Sequence, residues 1–303
     1  MTALADIIGA EVARDTFPAA NAFSEHLRAH YGQAAAAVIF YGSCLRQNTD
    51  VGLLLDFYVL VDKYGPALRS VPSTLGARLL PPNVYYHEMI FEGRIVRAKV
   101  AVIAVNQFLQ NVAPETFASS LWARFAQPTI ILYARNDELR RRLVAGLCSA
   151  VTTMIARTRP LMDQPFSTRD LWVRAFAETY RAELRPERDG KGAELVDGEL
   201  ARYNAVTSAV LGDPSGGIYG AALLHEQNAA ARSWWLRRVQ GKTLNGLRLI
   251  KAAFTFQGGL DYAVWKIERH SGVKLDLTDA ERKRTLITGA RLLLKTLRKG
   301  GLR

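Results

Sequence analysis

At 303 residues, 49% of them apolar and 22% charged, the chain is neither disordered, nor collagen-like, nor a disulfide scaffold, and its length fits two domains that each bury a core. Its cysteines, Cys44 and Cys148, stand at no metal-ligand spacing and read as thiols in a reducing compartment. The formal charge of +12 is segregated: residues 232–303 carry seventeen Lys/Arg against five Asp/Glu, and the rest of the chain is neutral overall. Such segregation points to a polyanionic partner for that end, either an anionic membrane surface or nucleic acid.

The N-terminus carries Asp6, Glu11 and Asp15 and lacks both a basic n-region and an Arg-rich leader, so the expected location is the cytoplasm. No apolar window reaches membrane-spanning length. Phe23 to Tyr31 with its flanks reads as a helix, and Ala35 to Tyr41 (AAAVIFY) as a short buried strand ended by a Gly42-Ser43 turn. Gly52 to Val61, Tyr85 to Ile90 and Arg94 to Val105 follow as strands. After Pro114 the pattern turns helical, with helices expected over 115–125, 138–157 and 167–183, the last capped by Ser167, and a short strand over 129–133. Arg185 to Gly198 reads as polar, turn-rich and mobile.

Beyond residue 232, Trp234-Trp235, Phe254, Phe256, Tyr262 and Trp265 intermix with Arg237, Arg238, Lys251 and Lys266. That mixture suits a lipid headgroup interface and a nucleic-acid surface alike. The capping-box pattern Thr278-Asp279-Ala280-Glu281 then opens a basic amphipathic helix with Leu286, Ala290, Leu293, Leu294 and Leu297 on one face. Such a helix either lies in an anionic lipid interface or packs its leucines on the core. His26 and His30, four residues apart, read as a solvated helix face rather than as zinc ligands.

The most informative stretch is Tyr41-Gly42-Ser43 followed by Asp56 inside an apolar strand. Glycine lets backbone approach a triphosphate, a serine hydroxyl binds its oxygens, and an inward carboxylate holds Mg²⁺ against them. An apolar strand has no structural use for an unpartnered acid, whose burial costs several kcal/mol. The alternative is an ordinary Gly-Ser turn beside an edge-strand Asp. Nucleotidyltransferase-fold enzymes commonly use an Asp-x-Asp pair and a later Arg-x-Asp strand, whereas here Tyr58 and Lys99 stand at those places. A second acid is therefore needed, with Glu183, Glu88 and Asp62 available, and Lys99 is suited to bind phosphate directly.

In these departures the chain resembles the peripheral, mitochondrial-type phosphatidate cytidylyltransferases. The matching residues are Tyr41-Gly42-Ser43, Asp56-Phe57-Tyr58-Val59, Asn83-Val84-Tyr85-Tyr86, Gly93-Arg94-Ile95-Val96-Arg97, Ala123-Arg124-Phe125-Ala126-Gln127-Pro128 and Tyr180-Arg181-Ala182-Glu183-Leu184-Arg185, in that order. The family's Trp-His and His-Tyr-Ser elements are missing, and residues 62–80 stand in their place. The resemblance implies an α+β protein: a nucleotidyltransferase-fold domain with a mixed β-sheet over residues 1–113, a mainly helical winged-helix-like domain over 114–231, and a basic helical C-terminal region over 232–303. It also implies CTP and phosphatidate as substrates, Mg²⁺ as cofactor, CDP-diacylglycerol and pyrophosphate as products, and a peripheral position on the inner face of the membrane. Tyr41, Gly42 and Ser43 would bind the triphosphate, Asp56 the metal, Lys99, Arg97 and Arg185 the phosphates, and Glu183 a second metal or positioning contact. Two other readings stay open: a nucleotidyltransferase with an RNA, protein or small-molecule acceptor, nucleic acid being the less favoured partner, and an inactive membrane-binding module that keeps the pocket.

Overall fold

The computed structural model describes residues 2–68, 70–183 and 190–255. Its strands are β1 (Ala35–Tyr41), β2 (Leu55–Val61), β3 (Asn83–Phe91), β4 (Arg94–Ala104) and β5 (Thr129–Ala134). Its helices are α1 (Ala3–Val12), α2 (Pro18–Tyr31), α3 (Ser43–Gln47), α4 (Tyr64–Leu68), α5 (Val71–Leu79), α6 (Val105–Val112), α7 (Trp122–Phe125), α8 (Asp137–Thr158), α9 (Thr168–Ala182), α10 (Lys191–Asp197), α11 (Leu200–Leu211) and α12 (Leu224–Thr255). The strands form one mixed sheet in the order β3-β4-β2-β1-β5, with β2 and β4 parallel and the other neighbours antiparallel.

β1 and β2 are apolar almost throughout because both faces of the sheet are covered. On one face Val38, Phe40, Phe57, Val59, Val100 and Val102 pack with Phe23 and Leu27 of α2. On the other, Ile39, Tyr58, Leu60, Ala101 and Ile103 join the helical layer, where Trp122, Leu147, Trp172 and Phe176 are buried. Large side chains buried this completely each contribute about 1.5–3 kcal/mol. The result is a mixed α/β architecture with the sheet between two apolar layers.

The expected boundary at residue 113 falls inside the span of the sheet, since β5 lies beyond it and pairs with β1. The N-terminal helix α1 likewise joins the helical layer: Glu11 and Arg202 of α11 form a buried ion pair at 2.7 Å. Residues 114–231 supply β5, helices α7 to α11 and the start of α12. No described helix is long and apolar enough to cross a membrane.

Local signals explain most of the elements. Ser167 caps α9 as expected, accepting from the Asp170 N–H at 3.2 Å while Asp170 accepts from the Ser167 N–H at 3.0 Å. Where helix was expected over 115–125, only Trp122–Phe125 is helical. The Phe117 carbonyl there accepts from Arg237 Nε of α12 at 3.1 Å, a tertiary hydrogen bond standing where a helical one would have formed. Within the stretch read as polar and mobile, Lys191–Asp197 is a helix, because Leu195 and Val196 are buried and Asp197 is bound by both Arg169 Nε and Nη2. His26 and His30 do not simply face solvent: both rings meet His87 of β3, with centroids 6.4 and 4.9 Å away. The amphipathic helix expected after Thr278 lies outside the described residues.

Candidate active site

The end of β1 and the start of β2 lie side by side. Tyr41 pairs with Asp56, Asp56 with Lys99 across the parallel β2–β4 boundary, and Lys99 with Tyr86. This puts Tyr41, Asp56 and Lys99 at one level on one face of the sheet, since side chains in register share a face. That is the face that carries Tyr58 and the helical layer. The Asp56 carboxylate is thus half-buried at the rim of the sheet while the rest of β2 is buried.

The turn after β1 is fitted to that acid. Gly42 has φ +94°, and a Cβ there would lie 2.8 Å from Asp56 Oδ2. Both the left-handed backbone and the close approach require glycine. Ser43 then opens α3. The neighbouring Cys44 is buried and donates its thiol hydrogen to the Leu54 carbonyl at 3.2 Å, so it is a packed side chain and not a thiol open to the cleft.

The opposite wall comes from the helical layer. Thr179 and Tyr180 near the end of α9, Glu183 just after it, and Leu195 of α10 face the strand residues. With Tyr41, Gly42, Ser43, Arg46, Asp56, Lys99, Ala123, Arg124 and Gln127 they line a cleft of about 300 Å³, at the small end of ligand pockets. Arg124 Nη1 donates to the Tyr58 hydroxyl at 2.8 Å, and its guanidinium carbon lies 5.8 Å from the centre of the Tyr41 ring. Burial opposes its charge, but the Tyr58 and Tyr41 oxygens and the Glu183 carboxylate outweigh that and leave Arg124 more basic than a free arginine.

The residues singled out from the sequence divide clearly. Tyr41, Gly42, Ser43, Asp56, Lys99 and Glu183 share the cleft. Arg97 does not line it; it lies two residues before Lys99, and its Nε donates to Glu88 Oε1 at 2.9 Å, which the Tyr86 hydroxyl also reaches at 2.6 Å. Arg185 lies outside the described residues. Of the three acids available to join Asp56, Glu88 is held by Arg97, and Asp62, at the far end of β2, is clamped by both Arg135 nitrogens at 2.6 Å. Glu183 alone of the three reaches the cleft. Sequence reasoning did not assign Arg46, Ala123, Arg124, Gln127, Thr179, Tyr180 or Leu195 to the site; Ala123, Arg124, Gln127 and Tyr180 had a signal, because each lies in one of the matching motifs.

Two carboxylates and three cations, Arg46, Lys99 and Arg124, therefore converge. Among the described residues no group of three or more His, Cys, Asp or Glu is set to hold a metal by itself. A pair of carboxylates does suit Mg²⁺, which keeps several waters and takes its remaining ligands from substrate phosphates. The residues present fit that ion.

No protein-family model matches the chain, and no curated protein matches it. Among solved structures, a nucleotidyltransferase-like protein from Exiguobacterium sibiricum 255-15 aligns over 93% of this chain and 92% of that one, at 12% identity and a TM-score of 0.27. A likeness at that level decides neither fold nor chemistry, which rest on the geometry above.

Proposed function

We propose that the cleft binds a nucleoside triphosphate, CTP on the family resemblance, and transfers its nucleotidyl group to the phosphate of phosphatidate at a membrane surface. One observation carries this reading: Tyr41, Gly42, Ser43, Asp56, Lys99 and Glu183, picked out along the sequence for nucleotidyl transfer, line a single cleft. In the reaction an acceptor phosphate oxygen attacks the α-phosphorus, a new P–O bond forms, the bond to the β-phosphate bridge breaks, and pyrophosphate leaves. Such transfer depends on positioning and charge neutralisation. Gly42 lets the backbone come close to the triphosphate, and the Ser43 hydroxyl donates to it. Lys99, Arg46 and Arg124 neutralise its oxygens, Lys99 as a point charge and the arginines as planar forks. Asp56 and Glu183 would hold Mg²⁺, which supplies charge compensation on the triphosphate.

Exposed apolar surface supports a lipid acceptor. Val71, Leu75 and Leu79 of α5, spaced four residues apart, are 82%, 56% and 70% exposed, and Trp235, Leu236 and Val239 of α12 are also exposed. Contiguous exposed apolar side chains mark interaction surfaces, and the basic excess of residues 232–303 favours an anionic one.

The test is pyrophosphate release from CTP by the full chain with Mg²⁺ and phosphatidate vesicles. Asp56→Asn is expected to lower turnover at least ~100-fold without lowering the melting temperature. Full activity in that variant would refute the assignment of Asp56. Absence of release with every phospholipid acceptor would refute the lipid reading.

A further inference from the structure

Behind the cleft wall, β2 carries a second polar side chain. Tyr58 lies two residues after Asp56, on the same face of the sheet, and is completely buried. Its ring packs edge to face on Phe125 of α7, with centroids 5.0 Å apart, and lies 5.4 Å from the ring of Tyr41. Its hydroxyl accepts a hydrogen bond from Arg124 Nη1 at 2.8 Å. Arg124 lines the cleft and Tyr58 does not, so the tyrosine acts on a ligand only through the arginine.

α7 is a single turn, Trp122–Phe125, anchored by the buried rings of Trp122 and Phe125. That fixes the backbone under Arg124 but not its side chain, whose rotatable bonds give it many rotamers. The Tyr58 hydroxyl, itself held by packing, supplies the missing constraint from a neighbouring element. The chemistry of that oxygen matters. A carboxylate in its place would pair with the guanidinium and cancel much of its charge, whereas a neutral hydroxyl holds one N–H and leaves the charge in place. Burial opposes that charge, while Tyr58, Tyr41 and Glu183 favour it. A guanidinium carries several N–H donors in a planar fork that suits phosphate oxygens, and the bond to Tyr58 orients that fork.

We infer that Tyr58 is a positioning residue: its buried hydroxyl holds Arg124 in the cleft, set to receive the oxygens of a polyphosphate chain before the chain arrives. This rests on the nucleotidyl-transfer reading for the identity of the ligand, but not for the binding of a polyphosphate. An arginine ordered in advance does not lose that freedom when the ligand binds, so the hydroxyl strengthens binding without touching the ligand.

The experiment titrates the full chain with inorganic tripolyphosphate and Mg²⁺ by calorimetry. Tyr58→Phe keeps the ring and its contacts and removes only the oxygen, and it is expected to weaken binding about tenfold. Arg124→Gln is expected to weaken it at least as much. Tyr58→Phe in the Arg124→Gln background should weaken it no further, because the hydroxyl acts through the guanidinium. Arg124→Met takes the place of Arg124→Gln in that cycle if the latter does not fold. With CTP and phosphatidate vesicles, Tyr58→Phe should raise the KM for CTP about tenfold and leave the KM for phosphatidate unchanged, a split that a general loosening of the core would not give. Binding like wild type in Tyr58→Phe folded by circular dichroism, additive losses in the double variant, equal rises in both KM values, or no binding of tripolyphosphate by wild type would each overturn the inference. Tripolyphosphate binding that depends on Tyr58 but comes without pyrophosphate release would sink the reaction and leave the positioning role standing; pyrophosphate release indifferent to Tyr58→Phe would do the reverse.

Discussion

A single carboxylate organises the cleft. Asp56 sits in a strand whose other residues are buried, and the turn facing it has no room for a Cβ, so local backbone and acid are matched. A second titratable cluster lies on the other side of the sheet, where His87 of β3 meets His26 and His30 of α2. Burial, then His30 and His26, depress its pKa to about 4 from 6.5, so His87 is neutral in the folded protein at pH values where the unfolded chain already binds a proton. Its contribution is present in full above pH 6.5 and is lost as pH falls toward 4. The shift corresponds to about 3 kcal/mol at most. Urea unfolding midpoints of wild type are expected to drop between pH 7.5 and 4.5 by more than those of His87→Gln, whose profile should be flatter. Equal slopes would show that His87 does not couple folding to pH.

At the level of elements, the strands were the most legible part of the sequence. Ala35–Tyr41 was read with its observed limits, because a short apolar run followed by Gly-Ser has few other fates. Asp56 and Glu183 could each be chosen as acids, but their meeting could not be read, since it depends on how α9 is set against the sheet. α12 fixes that position, and no periodicity pointed to it as one long helix. Its Gly241 passes so close to the end of α9 that a Cβ would stand 2.2 Å from the Ala182 carbonyl oxygen, one residue before Glu183. Gly246, in the same helix, would meet nothing within 4 Å. Gly241→Ala should therefore force the helices apart, costing about 1–3 kcal/mol and, on the proposed function, most of the pyrophosphate release. Gly246→Ala should be neutral or stabilise by up to ~1 kcal/mol through helix propensity, with activity kept. Thermal melts and pyrophosphate release from the two variants, side by side, distinguish a local packing constraint from a general effect of alanine in α12.

Over the whole molecule, parts distant in sequence are joined by contacts that composition does not reveal. The division at residue 113 followed a change from strand-like to helical pattern, yet β5 returns to the sheet and α1 crosses to the helical layer. Long-range pairing of this kind is set by tertiary packing and leaves little local trace. The clearest case is Glu11 with Arg202, 6% and 10% exposed in their side chains. Arg202 Nε donates to Glu11 Oε2 at 2.7 Å, and Nη1 donates to the Ala126 carbonyl at 2.7 Å, beside the cleft residue Gln127. One ion pair thus ties α1, α11 and the segment after α7. Removing one partner of a buried pair leaves the other charged and dry, so Glu11→Ala should cost about 3–5 kcal/mol. Replacing both partners with apolar side chains, Glu11→Leu with Arg202→Met, removes the stranded charge and should recover most of that loss. Recovery should stay incomplete, because the Ala126 carbonyl loses its donor, at about 1 kcal/mol. Chemical denaturation of Glu11→Leu, Arg202→Met and the double variant, beside Glu11→Ala, gives the coupling directly. A double variant no more stable than Glu11→Ala would mean that the pair is not what holds the N-terminal helix to the wall of the cleft.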